Sequence, residues 1–187
     1  MGISTDMKYE ILIIFVITTM FLGCNRENVI EKELKMLRDK PIEFCTDSLM
    51  AIMGDNSSVT KSPNYIILTF LDSAECTTCQ IRHMYSWEYL CNQYPMIPFV
   101  FIFESNMGEI QTLLSEENIV EFSNIYMYCD TIGYFRRHNL NMPNNRLFHT
   151  LLLDSNRNVV ISGNPTYNSK IKELIENFIK DEGITSK

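Results

Sequence analysis

Apolar and polar positions follow one another along this chain in blocks whose length and period separate strands from helices. Tyr65–Leu71 (Y-I-I-L-T-F-L), bounded by Pro63 and Asp72, is rich in aromatic and β-branched residues, as expected of a strand buried on both faces. Ile97–Phe103 (I-P-F-V-F-I-F) and Ile125–Cys129 repeat the pattern. Thr77–Gln93 and Glu109–Glu117 fit helices, and Thr131–His138 a short one. Leu147–Asp154 and Val159–Ser162 read as two more strands, joined as a hairpin by the polar turn Ser155-Asn156-Arg157-Asn158. In Ser169–Asp181, Ile171, Leu174, Ile175 and Phe178 share one helical face. Ahead of the first strand, Val29, Ile30, Leu34 and Leu37 recur at helical spacing. Ile42–Cys45 suits a short strand, and Gly54–Pro63 is a polar loop. The order of elements predicts an α/β three-layer sandwich: a central mixed sheet of about five strands, helices on both faces, and an antiparallel hairpin at one edge.

The amino terminus has a different pattern. Ile11–Leu22 carries no charge and spans about 12 residues, against the roughly 20 of a membrane-spanning helix. It suits the apolar centre of a signal peptide. The run ends at Phe21-Leu22-Gly23-Cys24, which resembles the lipobox of bacterial lipoproteins. The resemblance implies cleavage before Cys24 and a diacylglycerol thioether on its sulfur, with Phe21 and Leu22 bulkier than usual. Met7-Lys8 is an alternative start that would place a positive residue near the tip. The expected organisation is a lipoprotein signal peptide over 1–23, a tether and N-terminal extension over 24–61, and a globular domain over 62–187. The domain is then expected in the cell envelope, on the periplasmic side, held to the membrane through Cys24. An uncleaved anchor or a buried helix is the other reading of the run.

The formal charge of −7, with no basic cluster, excludes nucleic acid as an expected partner. Seven glycines form no phosphate-cradling loop, and no Ser-His-Asp set or carboxylate pair points to a hydrolase. Beyond Cys24 the chain has Cys45, Cys76, Cys79, Cys91 and Cys129, an odd set that does not read as a disulfide scaffold. Only Cys76-Thr77-Thr78-Cys79 stands out by spacing, and it falls where the first buried strand joins its helix. Free N–H groups at a helix start favour a thiolate there, and a second thiol three residues on can resolve a mixed disulfide.

Y-I-I-L-T-F-L-D-S-A-E-C-T-T-C-Q, together with the later F-H-T-L-L-L-D-S-N-R-N-V-V, resembles the thioredoxin superfamily, closest to its TlpA/ResA and peroxiredoxin-like branch. The likeness covers about residue 62 to the end of the last helix. It implies a thioredoxin-like domain exchanging thiols and disulfides with envelope proteins, with Cys76 as nucleophile, Cys79 as resolving thiol and no cofactor. Three departures are visible. Glu75 replaces the family's Trp before the first Cys, and its carboxylate opposes ionisation of Cys76. Thr77-Thr78 replaces the Pro-containing dipeptide. Phe148 is expected at the cis-proline position, in contact with the cysteines, because Pro143 lies too far upstream.

Other readings stay open. The fold can serve as a non-enzymatic envelope scaffold with a structural or unused CxxC. Cys76, Cys79, His83 and His149 have the ligand types of a metal site. A peroxidase is the weaker redox reading, since Thr69 and Ser73 stand where peroxiredoxins have their Pro and Thr, so the Pro is missing. Cys91 and Cys129 read as small buried hydrophobes, Tyr85, Trp87 and Tyr89 as packing residues, and Arg136-Arg137 as a solvated pair without a role.

Overall fold

The computed structural model describes residues 29–54, 64–74, 76–116 and 123–184. The expected signal peptide over 1–23, Cys24, Glu75 and residues 55–63 lie outside them. Helix α1 spans 29–38 in the described part. The strands are β1 (Met50–Met53), β2 (Tyr65–Leu71), β3 (Phe99–Phe103), β4 (Ile125–Cys129), β5 (Thr150–Asp154) and β6 (Val159–Ser162). The remaining α-helices are α2 (Thr77–His83), α3 (Glu88–Gln93), α4 (Met107–Glu116), α5 (Tyr134–His138) and α6 (Ser169–Asp181).

The strands form one sheet in the order β1-β4-β3-β2-β5-β6. β2, β3 and β4 are parallel, while β1, β5 and β6 pair antiparallel. The period of two divides the core. Ile67, Phe99, Phe101, Phe103, Met127 and Leu152 face α2, α3, α4 and α6, where Ile81, Trp87, Ile110 and Ile179 meet them. Ile66, Leu68, Phe70, Val100, Ile102 and Tyr128 face α5 and the N-terminal segment, which supplies Leu37, Ile42 and Leu49. The α/β sandwich with helices on both faces is thus present, with six strands where about five were expected.

The additional strand comes from the stretch assigned to the extension. Met50 and Ala51 pair with Cys129 and Tyr128. Gly54 ends β1 at φ +90°, where a Cβ would lie 2.6 Å from the Tyr126 ring, so a side chain is excluded. Ile42–Cys45, expected as a strand, joins no ladder, although the Ile42 N–H donates to the Arg157 carbonyl at 2.9 Å. Two asparagines fix this segment to the domain. The Asn139 amide exchanges hydrogen bonds with the Glu43 backbone (2.7 and 2.9 Å), and the Asn141 amide donates to the Leu37 and Lys40 carbonyls.

The helix expected over Thr77–Gln93 is divided by a 3-10 turn at Met84–Trp87. The Ser86 hydroxyl donates to the His83 carbonyl at 2.5 Å, competing with the regular ladder at that break. Between β5 and β6, the Asp154 carboxylate accepts the N–H groups of Asn156 and Asn158 and the Asn158 amide, which fixes the hairpin turn. Burial alone would raise the Asp154 pKa, but these three donors together hold it below its usual value.

Candidate active site at the Cys76–Cys79 pair

Cys76 and Cys79 are joined by a disulfide across a Cα–Cα distance of 5.2 Å. Cys76 is the residue that caps α2: its backbone is extended, and its sulfur accepts the Cys79 N–H at 3.2 Å. One first-turn N–H is thus directed at this sulfur, an arrangement that favours a thiolate once the bond is reduced. Both cysteines are exposed. Cys79 does not lie under the helix: the buried stripe runs through Ile81, Met84 and Trp87, which turns Cys79 and His83 outward together.

The loop from β2 to the pair is held at several points. Asp72 Oδ1 accepts the Ala74 N–H at 3.0 Å, and Glu104 at the end of β3 accepts from the Ser73 N–H and hydroxyl. Thr77 Oγ1 lies 3.4 Å from Ser105 Oγ; Thr78 is half-buried. The Cys129 thiol, at the end of β4, donates to the Ser105 carbonyl at 3.2 Å. Burial pushes its pKa up and pushes that of Cys91 up to about 12, so both behave as the buried hydrophobes expected of them.

Strand β5 begins at Thr150, so His149 stands directly before it. Phe148 is one place further back, at the end of the 3-10 turn Arg146–Phe148. The Asn145 side chain, accepting the Leu147 N–H, starts that turn where a strand from Leu147 was expected. Phe148 lines a cavity of about 370 Å³ together with Gln80, the residue after Cys79. No peptide bond among the described residues is cis.

The metal set does not assemble. Among the described residues no group of three or more His, Cys, Asp or Glu side chains can hold a metal ion. Cys76 and Cys79 bond to each other, and His83 packs edge-on against Tyr167 with ring centroids 5.5 Å apart. His149, 2% exposed, has its Nε2 2.9 Å from the Pro143 carbonyl. Burial lowers the His149 pKa most, and the nearby Arg136 and Arg146 lower it further, against the Pro143 contact and Asp72.

Arg136 is not simply solvated. Its guanidinium reaches Asp72 Oδ2 at 3.3 Å and lies 5.4 Å from the centre of the Phe70 ring. Arg146 reaches the same oxygen at 3.4 Å. Asp72 thus gathers two arginines next to the disulfide loop. The sequence carries no periodic signal for this hub, because its members lie just after β2, on α5 and on the approach to β5.

No protein-family model matches the chain, and no curated relative matches it. Solved structures do. The solution structure of a thioredoxin-like protein in its oxidised form aligns at TM-score 0.51 and 13% identity, over 75% of this chain and 95% of that one. The thioredoxin domain of a thiol-disulfide oxidoreductase from Bacteroides vulgatus aligns at 0.47 and 11%, over 70% and 91%. An exposed lipoprotein thioredoxin from Streptococcus pneumoniae aligns at 0.44 and 10%, over 67% and 98%. At such identities the likeness is one of fold. In fold the chain is thioredoxin-like, with a disulfide-paired CxxC at the start of the helix that follows its first parallel strand.

Proposed function

We propose that this chain is an envelope lipoprotein that exchanges thiols and disulfides with other proteins through Cys76 and Cys79. The observation that carries the reading is the exposed disulfide at a helix start, with the Cys79 N–H directed at the Cys76 sulfur. In the reducing direction, the Cys76 thiolate attacks one sulfur of a substrate disulfide. A Cys76–substrate bond forms, the substrate S–S bond breaks, and the second substrate sulfur leaves as a thiolate. The Cys79 thiolate then attacks the Cys76 sulfur, closing the internal disulfide and releasing the first substrate sulfur. Two electrons pass to the substrate, whose thiolates take up the two protons the cysteines gave. The oxidising direction is the reverse. Glu75, Thr77, Thr78 and Phe148 are proposed as neighbours that tune the exchange, Glu75 by opposing the Cys76 thiolate. The test is catalysed reduction of a disulfide-bonded protein by dithiothreitol. Acceleration by the wild type and none by Cys76→Ser supports the reading; equal rates refute it.

The membrane anchor rests on the apolar run ending in Gly23-Cys24. No helix among the described residues is long and apolar enough to cross a membrane. Mass spectrometry of the membrane fraction is expected to find an acyl-bearing Cys24 as the mature amino terminus, and Cys24→Ser is expected to abolish it. A mature chain that keeps Met1 or Met7 and carries no lipid contradicts this. Glu75 and Phe148 depart from the family pattern and favour one second reading. There the domain is a non-enzymatic envelope scaffold and the Cys76–Cys79 bond is structural.

A further inference from the structure

Three of the large apolar side chains that the fold leaves in solvent lie along one groove. Leu140, at 82% the most exposed of them among the described residues, follows α5. Val29 at 56% and Met36 at 43% sit two helical turns apart on α1. With Lys32 and Glu33 they line a groove of about 340 Å³ between α1 and the stretch 140–144. A single exposed leucine is ordinary, but several apolar side chains gathered in one place and rimmed by polar ones mark a docking surface.

The two walls of the groove are fixed to each other. The Asn141 amide donates to the Leu37 carbonyl at 3.3 Å and to the Lys40 carbonyl at 3.1 Å, and Leu37 and Met142 pack in the same core. The spacing of Val29, Ile30, Leu34 and Leu37 suggested one inward stripe. In the fold Leu37 is buried, Ile30 and Leu34 are half-buried, and Val29 turns out to solvent with Met36. Helix α1 therefore covers the domain with one side and presents apolar surface on another.

We infer that this face rests on the lipid bilayer that holds the Cys24 anchor, with Val29, Met36 and Leu140 in its interfacial layer. The inference rests on the anchor proposed above. Only Asn25-Arg26-Glu27-Asn28 separates Cys24 from α1. Fully extended, that span reaches about 18 Å, little more than the length of α1 itself, about 15 Å. The start of α1 is thereby leashed to within that distance of the membrane surface. Because the anchor has already brought the domain there, a weak apolar face is enough to decide which side lies against the lipid. Charge agrees with this orientation. In 29–40 the basic Lys32, Lys35, Arg38 and Lys40 outnumber the acidic groups, although the whole chain carries −7. Lys32, on the groove, has an apolar stem that can lie along the surface while its ammonium meets headgroup phosphates.

The experiment uses the mature lipidated chain in phosphatidylcholine vesicles whose acyl chains are brominated near the headgroup, which quenches an indole on contact. Trp87, 3% exposed and the chain's only tryptophan, packs against Phe99 and Phe101 and serves as the inner reference. Val29→Trp, Leu140→Trp and Leu174→Trp each add a second indole at an exposed position. Leu174, 51% exposed, is on α6, which packs on the opposite face of the sheet. Quenching at positions 29 and 140 is expected to exceed that at 174 by about threefold or more. Adding Leu140→Asp to Val29→Trp is expected to bring quenching at 29 down to the level at 174, because the buried charge lifts the whole face from the lipid. Quenching at 29 or 140 no stronger than at 174 overturns the inference. So does quenching at 29 that survives Leu140→Asp, which would show a helix start held near lipid by its leash and no docked face. The mass of each chain, read alongside, separates the two claims. A lipidated Cys24 with equal quenching removes only the docked face, and a chain without lipid removes the anchor and the face with it.

Discussion

Cys79→Ser is expected to accumulate a covalent mixed disulfide with its substrate protein through Cys76, and Cys76→Ser to accumulate none. The asymmetry follows from the helix start. The Cys76 sulfur already accepts the Cys79 N–H at 3.2 Å, and as a thiolate it stays in the positive field of the first turn. Once Cys76 is joined to substrate, only Cys79 can release it, so removing that thiol stops the reaction half-way. A serine hydroxyl at position 76 is not ionised near neutral pH, and the exchange rate is expected to fall by about a hundredfold or more. Non-reducing electrophoresis followed by mass spectrometry of the adduct reads this directly. Equal trapping by both variants would remove the assignment of nucleophile and resolving thiol.

The largest expected effect on stability lies away from the disulfide, at Asn124. Its side-chain amide donates to the carbonyls of Cys91, Tyr94 and Ile97, each at 3.1 Å, and the residue is 5% exposed. One NH2 group, with two hydrogens shared among three acceptors, thus serves the buried carbonyls at the end of α3 and the approach to β3. Of these, Tyr94 also accepts the Ile97 N–H at 3.1 Å. Asn124→Ala removes the donor to the Cys91 and Ile97 carbonyls, while Tyr94 keeps the Ile97 N–H, and is expected to cost roughly 3 kcal/mol. For a domain of this size that lowers Tm by about 6–12 °C. Asn92→Ala, on the exposed face of the same helix, is expected to change stability by no more than about 0.5 kcal/mol. Urea denaturation of the three proteins checks both statements, and a loss under about 1 kcal/mol for Asn124→Ala would contradict the first.

The sequence made legible what local pattern controls. β2, β4, β6 and α6 fall at the expected residues, because Tyr65–Leu71 and Ile125–Cys129 are continuous apolar runs and Ser169–Asp181 has an unbroken helical stripe. β1 was missed because Met-Ala-Ile-Met has neither alternation nor β-branched density, and its partner β4 lies more than 70 residues away. The start of β5 was set too early because Asn145 caps a turn within an apolar stretch. The same division holds at the site. Cys76 and Cys79 are readable from spacing and from their place after a strand. The Asp72–Arg136–Arg146 hub and Asn124 take their meaning from neighbours far along the chain, so pattern alone gave Arg136 as a solvated residue. His149, read as a packing or hydrogen-bonding residue near the site or else a metal ligand, meets the Pro143 carbonyl. Cys79 shows the limit within a single helix: its outward direction depends on which stripe packs, and Ile81, Met84 and Trp87 set that stripe.

The claim on which the rest depends is that the Cys76–Cys79 bond is made and broken as part of the protein's work. Equilibrating the purified domain with buffers of defined ratios of reduced and oxidised glutathione, or with stronger dithiols, and counting free thiols by mass gives the reduction potential of the pair. Proteins that exchange disulfides lie between about −120 and −270 mV, whereas structural disulfides of exported proteins lie below about −300 mV. The account predicts a two-electron transition within the first range, carried by Cys76 and Cys79 and lost in either serine variant. A potential below about −300 mV would contradict it and leave the domain as a scaffold with a structural bond.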